Sequence, residues 1–145
     1  MNISKKTRYA ARALITLGYL FAEKKRPVRL KEISRIEGIS LRYLENIFSQ
    51  LSRAGIITGV KGKGGGFSLA REPERITMAE VVQVLESPLS GVECIGTPKK
   101  CGRSSECATR KMWLDFGMTI REHFDRITLR SLIDSFRREA PMYHI

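Results

Sequence analysis

The chain has 145 residues, 42% of them hydrophobic, which is enough for one compact domain with a protruding element and too few for two independent cores. Its 26 Lys and Arg against 15 Asp and Glu leave a formal charge of +11, and the excess is one-sided: residues 1–75 hold 16 basic and 6 acidic groups, residues 76–145 hold 10 and 9. A cationic half of this kind suits a polyanion, which it binds by neutralising phosphates and releasing counterions; basicity that served only solubility would be spread evenly.

At the N-terminus, Lys5, Lys6 and Arg8 precede an apolar run from Ala10 to Ala22, the outline of a secretory leader. Arg12 interrupts that run, no small-x-small cleavage pattern follows, and Ala10, Ala13, Leu14, Leu17, Leu20 and Phe21 fall at helical spacing, as on one face of a soluble helix. No segment reaches the roughly 20 apolar residues of a membrane span. Three cysteines cannot all pair within one chain. A reducing cytoplasm and no membrane partner are expected.

The first helix is predicted to end between Glu23 and Arg26, before Pro27, and a second to run from Leu30 to Glu37. Gly38 caps it, Ile39 packs into the turn, and Ser40 opens a third helix, completing a helix-turn-helix pattern. In the third helix Leu41, Leu44, Ile47, Phe48 and Leu51 form a core stripe, and Arg42, Glu45, Asn46, Ser49 and Arg53 a polar one. Such a stripe is what a recognition helix shows DNA, although a solvated surface helix carries the same pattern. Residues 56–60 and 67–70 then read as short strands flanking Lys61-Gly62-Lys63-Gly64-Gly65-Gly66, a hairpin with a cationic glycine-rich tip. The glycines Gly64 and Gly65 let backbone approach a phosphate, and Lys61 and Lys63 add charge. A nucleotide loop is excluded: no G-x-x-x-x-G-K-[ST] is present, and the position that completes a G-x-G-x-x-G from Gly62 is Phe67.

Thr77-Met78-Ala79-Glu80 is a capping box for a helix through Leu85, with Val81, Val84 and Leu85 for burial. Residues 87–107 contain Pro88, Gly91, Gly96, Pro98 and Gly102 and read as a loop, and every cysteine of the chain lies there, as Cys94-x6-Cys101-x5-Cys107. Three thiols gathered on one loop are suited to a soft metal. Gaps of this length favour an iron-sulfur cluster over a zinc knuckle, with zinc and unliganded redox thiols as the alternatives. A long helix follows from Ala108 to Arg126 with an apolar seam of Trp113, Phe116, Gly117, Ile120, Phe124 and Ile127, and Thr128 caps a last helix bearing Leu129, Leu132, Ile133 and Phe136. The economical partner for that seam is the same helix of a second subunit, which places two recognition helices about one duplex turn, ~34–36 Å, apart; an intramolecular fold-back is the alternative. The expected architecture is mainly α with a small β-hairpin wing: a winged helix-turn-helix domain over residues 1–86, a cysteine-rich loop over 87–107, and a dimerisation helix with a C-terminal helix over 108–145. Without a triad, an acid-base pair or partners for its two histidines, the chain is not expected to be an enzyme.

Thr7-Arg8-Tyr9-Ala10, the segment Gly38-Ile39-Ser40-Leu41-Arg42-Tyr43-Leu44-Glu45, the wing Gly62-Lys63-Gly64-Gly65-Gly66-Phe67, the three-cysteine loop followed by Trp113, and Ile127-Thr128-Leu129 together resemble the IscR/NsrR family of bacterial winged-helix regulators, in the same order and over nearly the whole chain. The resemblance implies a homodimer crossed through the long helix and binding of a palindromic operator in double-stranded DNA. DNA is expected to meet Ser40, Arg42, Tyr43, Glu45, Asn46, Ser49, Arg53, Lys61, Lys63, Gly64 and Gly65. It also implies an iron-sulfur cluster on Cys94, Cys101 and Cys107 that reports cluster supply, nitric oxide, iron or redox state and controls a repressor, with 4Fe-4S preferred over 2Fe-2S. One departure stands out. IscR-like members place a histidine ligand three residues after the last cysteine, where this chain has Arg110, and NsrR-like members borrow an acidic residue from the partner's first helix, where this chain has Arg8. The fourth ligand is unassigned: Glu93 and Glu106 are nearby oxygen donors, a water or small molecule on an open iron is equally compatible, His123 lies too far along the long helix, and His144 lies in the C-terminal tail.

Overall fold

Ser4 opens the first helix by accepting the Thr7 N–H on its Oγ at 3.2 Å, and Lys25 closes it in the left-handed conformation at φ 53°, donating its N–H to the Phe21 carbonyl. The computed structural model describes residues 2–86 and 92–139. In chain order these form α1 (Lys5–Lys24), α2 (Leu30–Glu37), α3 (Leu41–Arg53), β1 (Ile57–Val60), β2 (Gly66–Leu69), a 3-10 turn (Pro73–Arg75), α4 (Met78–Leu85), α5 (Glu93–Gly96), a second 3-10 turn (Pro98–Lys100), α6 (Arg110–Asp125) and α7 (Leu129–Glu139). The expected mainly helical winged helix-turn-helix architecture is what is observed.

Helix α1 is the central strut. Ala10, Ala13, Leu14 and Leu17 are fully buried against Ile33 of α2, Leu44, Ile47, Phe48 and Leu51 of α3, Val81 and Val82 of α4, and Leu129 and Ile133 of α7. Each of the larger side chains contributes about 1.5–3 kcal/mol on leaving water. The turn between α2 and α3 forms as its residues dictate: Gly38 sits at φ +65° with its N–H on the Ser34 carbonyl, Ile39 is buried, and Ser40 Oγ accepts the Tyr43 N–H. The Thr77 capping box is also made, with Glu80 Oε2 accepting the Thr77 N–H at 3.0 Å and Thr77 Oγ1 accepting the Glu80 N–H at 3.4 Å.

The two strands are antiparallel, pairing Ile57 with Leu69 and Val60 with Gly66. The chain between α1 and α2 adds a third ladder element, because Val28 exchanges two backbone hydrogen bonds of 2.8 Å with Phe67. Gly66 makes this possible: at φ +147° it lies so close that a Cβ would stand 2.5 Å from the Val28 carbonyl oxygen. Phe67 then stacks edge-on against Phe48, joining the hairpin to α3.

Three features depart from the local sequence signals. The stretch expected to be irregular carries α5 and a 3-10 turn, while residues 87–91, with Pro88 and Gly91, lie outside the described residues, as does His144. Helix α6 starts at Arg110 rather than near Ala108. Helix α7 returns onto α1, where a Cβ on Gly18 would come within 2.4 Å of Ile133 Cδ1, so any larger residue there would make the Ile133 side chain shift. Hydrogen bonds of 2.8 Å from the Met78 N–H to the Ile127 carbonyl and from the Leu129 N–H to the Ile76 carbonyl tie the α6–α7 corner to the start of α4.

A polar latch ties α1 to the end of α4. Glu86 Oε1 accepts the Ser4 N–H and the Thr7 hydroxyl, both at 2.7 Å. Burial raises the Glu86 pKa, but the hydrogen bonds from Ser4 and Thr7 outweigh it and hold the carboxyl below its ordinary value.

Replacing Gly66 by Ala is expected to cost about 1–3 kcal/mol through backbone strain and loss of the Val28 pairing, read as a lowered urea midpoint. Glu86→Ala is expected to cost about 1–3 kcal/mol at neutral pH by orphaning two donors. Because the folded pKa of Glu86 is depressed, its contribution is present above the ordinary carboxylate range and lost as pH falls through the folded value, so the gap between variant and parent closes in acid. A gap in melting temperature that stays constant from neutral to acid pH would contradict this.

Candidate nucleic-acid interface and cysteine loop

The third helix presents the polar stripe expected of it. Arg42, Glu45, Asn46, Ser49 and Arg53 are all exposed on the face opposite Leu44, Ile47, Phe48 and Leu51. Ser40 is exposed too, though its hydroxyl is engaged as the helix cap. Tyr43 differs: it is half-buried, with its ring edge-on to Tyr9 of α1 at 5.8 Å between centroids. Asn46 Oδ1 accepts the Gln50 side-chain amide at 2.9 Å, which makes Gln50 a neighbour that the stripe pattern did not single out.

At the hairpin tip Lys61, Lys63 and Gly64 are exposed, and Gly62 and Gly64 adopt φ +91° and +79°. Gly65 is buried, donates its N–H to the Gly62 carbonyl, and leaves no room for a Cβ, which would fall 2.4 Å from the Val60 carbonyl oxygen. Gly65 therefore shapes the tip and Gly64 stands on its surface.

Sequence patterning passed over the cations of the α1–α2 linker. Arg26 and Arg29 line one notch with Glu32, Gly64 and Gly65, and Lys5 lines another with Tyr9, Gly38, Ile39, Ser40 and Tyr43. The run Lys24, Lys25, Arg26, Arg29 was the available signal, but it reads locally as the end of a helix. Around Tyr9 the α1 cations are fixed: Lys5 and Arg12 stand 5.6 Å and 5.5 Å from its ring centroid, and Arg12 pairs with Glu37 at 2.9 Å.

The cysteines occupy three separate local settings. Cys94 lies in α5 and Cys101 follows the second 3-10 turn, both half-buried, while Cys107 is exposed just before α6. Among the described residues no group of three or more His, Cys, Asp or Glu side chains is placed to hold a metal ion together. The donor chemistry nonetheless suits an iron-sulfur cluster, with three free thiols on one segment and Lys99, Lys100, Arg103 and Arg110 beside them. Cys107 is biased towards thiolate: first the hydrogen bond with the Thr109 hydroxyl at 3.3 Å, then the Thr109 backbone, and lastly the charge of Arg110 hold its pKa below the ordinary value. Arg110 joins both ends of the segment, its backbone N–H on the Cys107 carbonyl at 3.2 Å and its guanidinium on the Cys94 carbonyl at 3.4 Å. Glu93 and Glu106 are exposed, and His123 sits at the opposite end of α6 from Cys107, its ring beside Phe124.

Helix α6 has no buried residue. Met112 is 52% exposed and Met118 60%, with Trp113, Leu114 and Phe116 also open, a large apolar surface for one helix. It meets the body through Phe124 in its last turn, and the corner after it through Ile127. No helix among the described residues is long and apolar enough to cross a membrane.

These features have known counterparts. The family model for Rrf2, iron-dependent transcriptional regulator, matches residues 3–135. The transcriptional regulator IscR of Aliivibrio salmonicida is 35% identical over 133 residues, 92% of this chain and 77% of its own length. Among solved structures, T. potens IscR superposes with a TM-score of 0.74 at 31% identity, covering 100% of this chain and 94% of its own. CymR, the global cysteine regulator of B. subtilis, superposes with a TM-score of 0.75 at 32% identity, covering 93% and 98%. These relatives are transcription regulators rather than enzymes, and regulators of this family bind DNA. A match that runs from the first helix into the last leaves one assignment: the chain belongs to the Rrf2 family of transcriptional regulators and is IscR-like within it.

Proposed function

We propose that the chain is a homodimeric repressor of the reducing cytoplasm whose affinity for a palindromic operator is controlled by an iron-sulfur cluster held by Cys94, Cys101 and Cys107. The observation that carries this reading is the segregation of all three cysteines onto one segment between the DNA-binding body and the exposed helix α6. When bound, such a cluster supplies an anionic centre responsive to redox state, nitric oxide and iron. The chain's own residues do the rest. Arg110 and Thr109 bias Cys107 towards the thiolate that ligation needs, and Arg110 draws the Cys94 and Cys107 backbones together. A cation at position 110 leaves the fourth position to Glu93, Glu106 or an exogenous ligand.

Dimerisation through α6 is supported by its uncovered apolar surface, which a second copy of the same helix can bury symmetrically. Towards DNA, Glu45 accepts from a cytosine amino group, Arg42 donates to guanine or phosphate, and Lys61 and Lys63 hold backbone. The coupling route of this reading passes from the cysteine segment to α3 by way of Glu86, which precedes that segment in the chain and grips Ser4 and Thr7, and of Tyr9, which lies in the same turn of α1 and braces Tyr43 at the start of α3. A coupling of about 1–3 kcal/mol along it changes operator affinity about 5- to 150-fold. A second reading, a winged-helix sensor of zinc or thiol oxidation, keeps the DNA half unchanged; it is favoured by the separate settings of the three cysteines and by the likeness to CymR.

Anaerobically purified protein is expected to contain iron and acid-labile sulfide, and Cys94→Ser to lose both together with the affinity difference between loaded and stripped forms in operator titrations. Zinc without sulfide would sink the cluster and leave the second reading standing. On a panel of duplexes, Glu45→Ala should change base preference at one position of each half-site by about 1–3 kcal/mol, whereas Lys63→Ala should weaken every sequence alike. Equal losses on all sequences from both variants would overturn this division of roles.

A further inference from the structure

The linker between α1 and α2 and the tip of the wing form one surface. Val28 is locked to Phe67 by two backbone hydrogen bonds, and Gly66 admits the Val28 carbonyl where any side chain would collide. This registers the cationic linker beside the glycine turn and leaves an open notch of about 320 Å³ between them, lined by Arg26, Arg29, Glu32, Gly64 and Gly65.

The charges of the notch are unequally committed. Glu32 accepts from Lys24, from Arg26 at 3.1 Å and from the Arg29 N–H at 3.5 Å, and these contacts, the Lys24 hydrogen bond foremost, hold its pKa at about 2 against the opposing effect of burial. Its carboxylate is thus already neutralised, and it serves to aim Arg26, whose guanidinium also donates to the Pro27 carbonyl at 2.9 Å. Arg29 is exposed, and no carboxylate among the described residues pairs with it. With Lys24, Arg26 and Arg29 against Glu32, the surroundings keep a surplus of positive charge. The facing wall is glycine backbone, with Gly64 exposed at φ +79° and no side chain to fend off a ligand. An uncommitted guanidinium fork opposite bare backbone is a fitting seat for a tetrahedral oxyanion.

We propose that this notch seats one phosphodiester of duplex DNA, with Arg29 as its principal donor, Arg26 held ready beside it by Glu32, and the Gly64 turn as the opposite wall. The proposal rests on the DNA-binding reading and extends it to a contact outside both the recognition helix and the wing lysines. Its effect is sequence-independent anchoring: a phosphate fixed here sets how deeply α3 and the wing enter their grooves.

The test is fluorescence-anisotropy titration of the full chain against mixed-sequence duplex DNA over a range of salt concentrations, for the parent, Arg29→Ala and Arg29→Gln, with thermal melts confirming the fold. Both variants are expected to bind about 3- to 10-fold more weakly on every sequence and to lower the log–log salt slope by about 0.9, the signature of one lost phosphate contact. Duplexes with single methylphosphonate linkages locate the contact: neutralising the seated phosphate weakens the parent but leaves Arg29→Ala unchanged. Parent-like affinity and slope in both variants, or a loss of affinity with no change of slope, would overturn the proposal. Failure of the parent itself to bind any duplex would instead defeat the DNA-binding reading.

Discussion

Everything in the molecule depends on α1 being narrow enough for four other helices to reach it. Ala10, Ala13 and Gly18 keep its surface flat where α3, α4 and α7 approach, and Leu14 and Leu17 fill the space between them. Close packing of this kind tolerates little extra volume. The helix therefore acts less as one layer of a bundle than as the axle on which α3, the latch to α4 and the returning C-terminal helix are mounted. Its polar side is built to the same purpose: Thr7 reaches Glu86 at one end, Arg12 and Thr16 reach Glu37 near the middle, and Tyr9 meets Tyr43 between them.

The positive surface follows from this frame rather than from charge content alone. Arg42 and Arg53 project because the opposite face of α3 is buried on α1. Lys61 and Lys63 are held out on a hairpin whose root is locked by Val28 and Phe67. Arg26 and Arg29 come from a linker with no regular structure of its own, yet they stand beside the wing because the same two hydrogen bonds bind that linker to β2. A duplex meeting this face encounters cations from three elements whose relative positions are set by one core.

The cysteine segment obeys different rules. It makes few contacts with the body and is organised by local bonds: Arg110 to the Cys94 and Cys107 carbonyls, and Thr109 to the Cys107 sulfur. Segments of low contact density are where opening and closing cost least. In the chain the thiols follow the Glu86 latch and precede the exposed apolar helix α6.

Local signals in the chain were enough for much of this. The helices α1 to α4, the glycine-capped turn, the Thr77 capping box, the hairpin with its glycine tip and the polar face of α3 are all legible because each is decided within one or two turns of backbone, by periodicity, caps and φ preferences. The return of α7 onto Gly18, the pairing of Val28 with Phe67, the burial of Gly65, the place of Arg29 beside Gly64 and the separate settings of the three cysteines were decided only by the tertiary structure. Each of these joins residues distant in the chain or depends on which apolar faces meet, and such choices are settled by the packing of the whole core rather than by the propensity of any one segment.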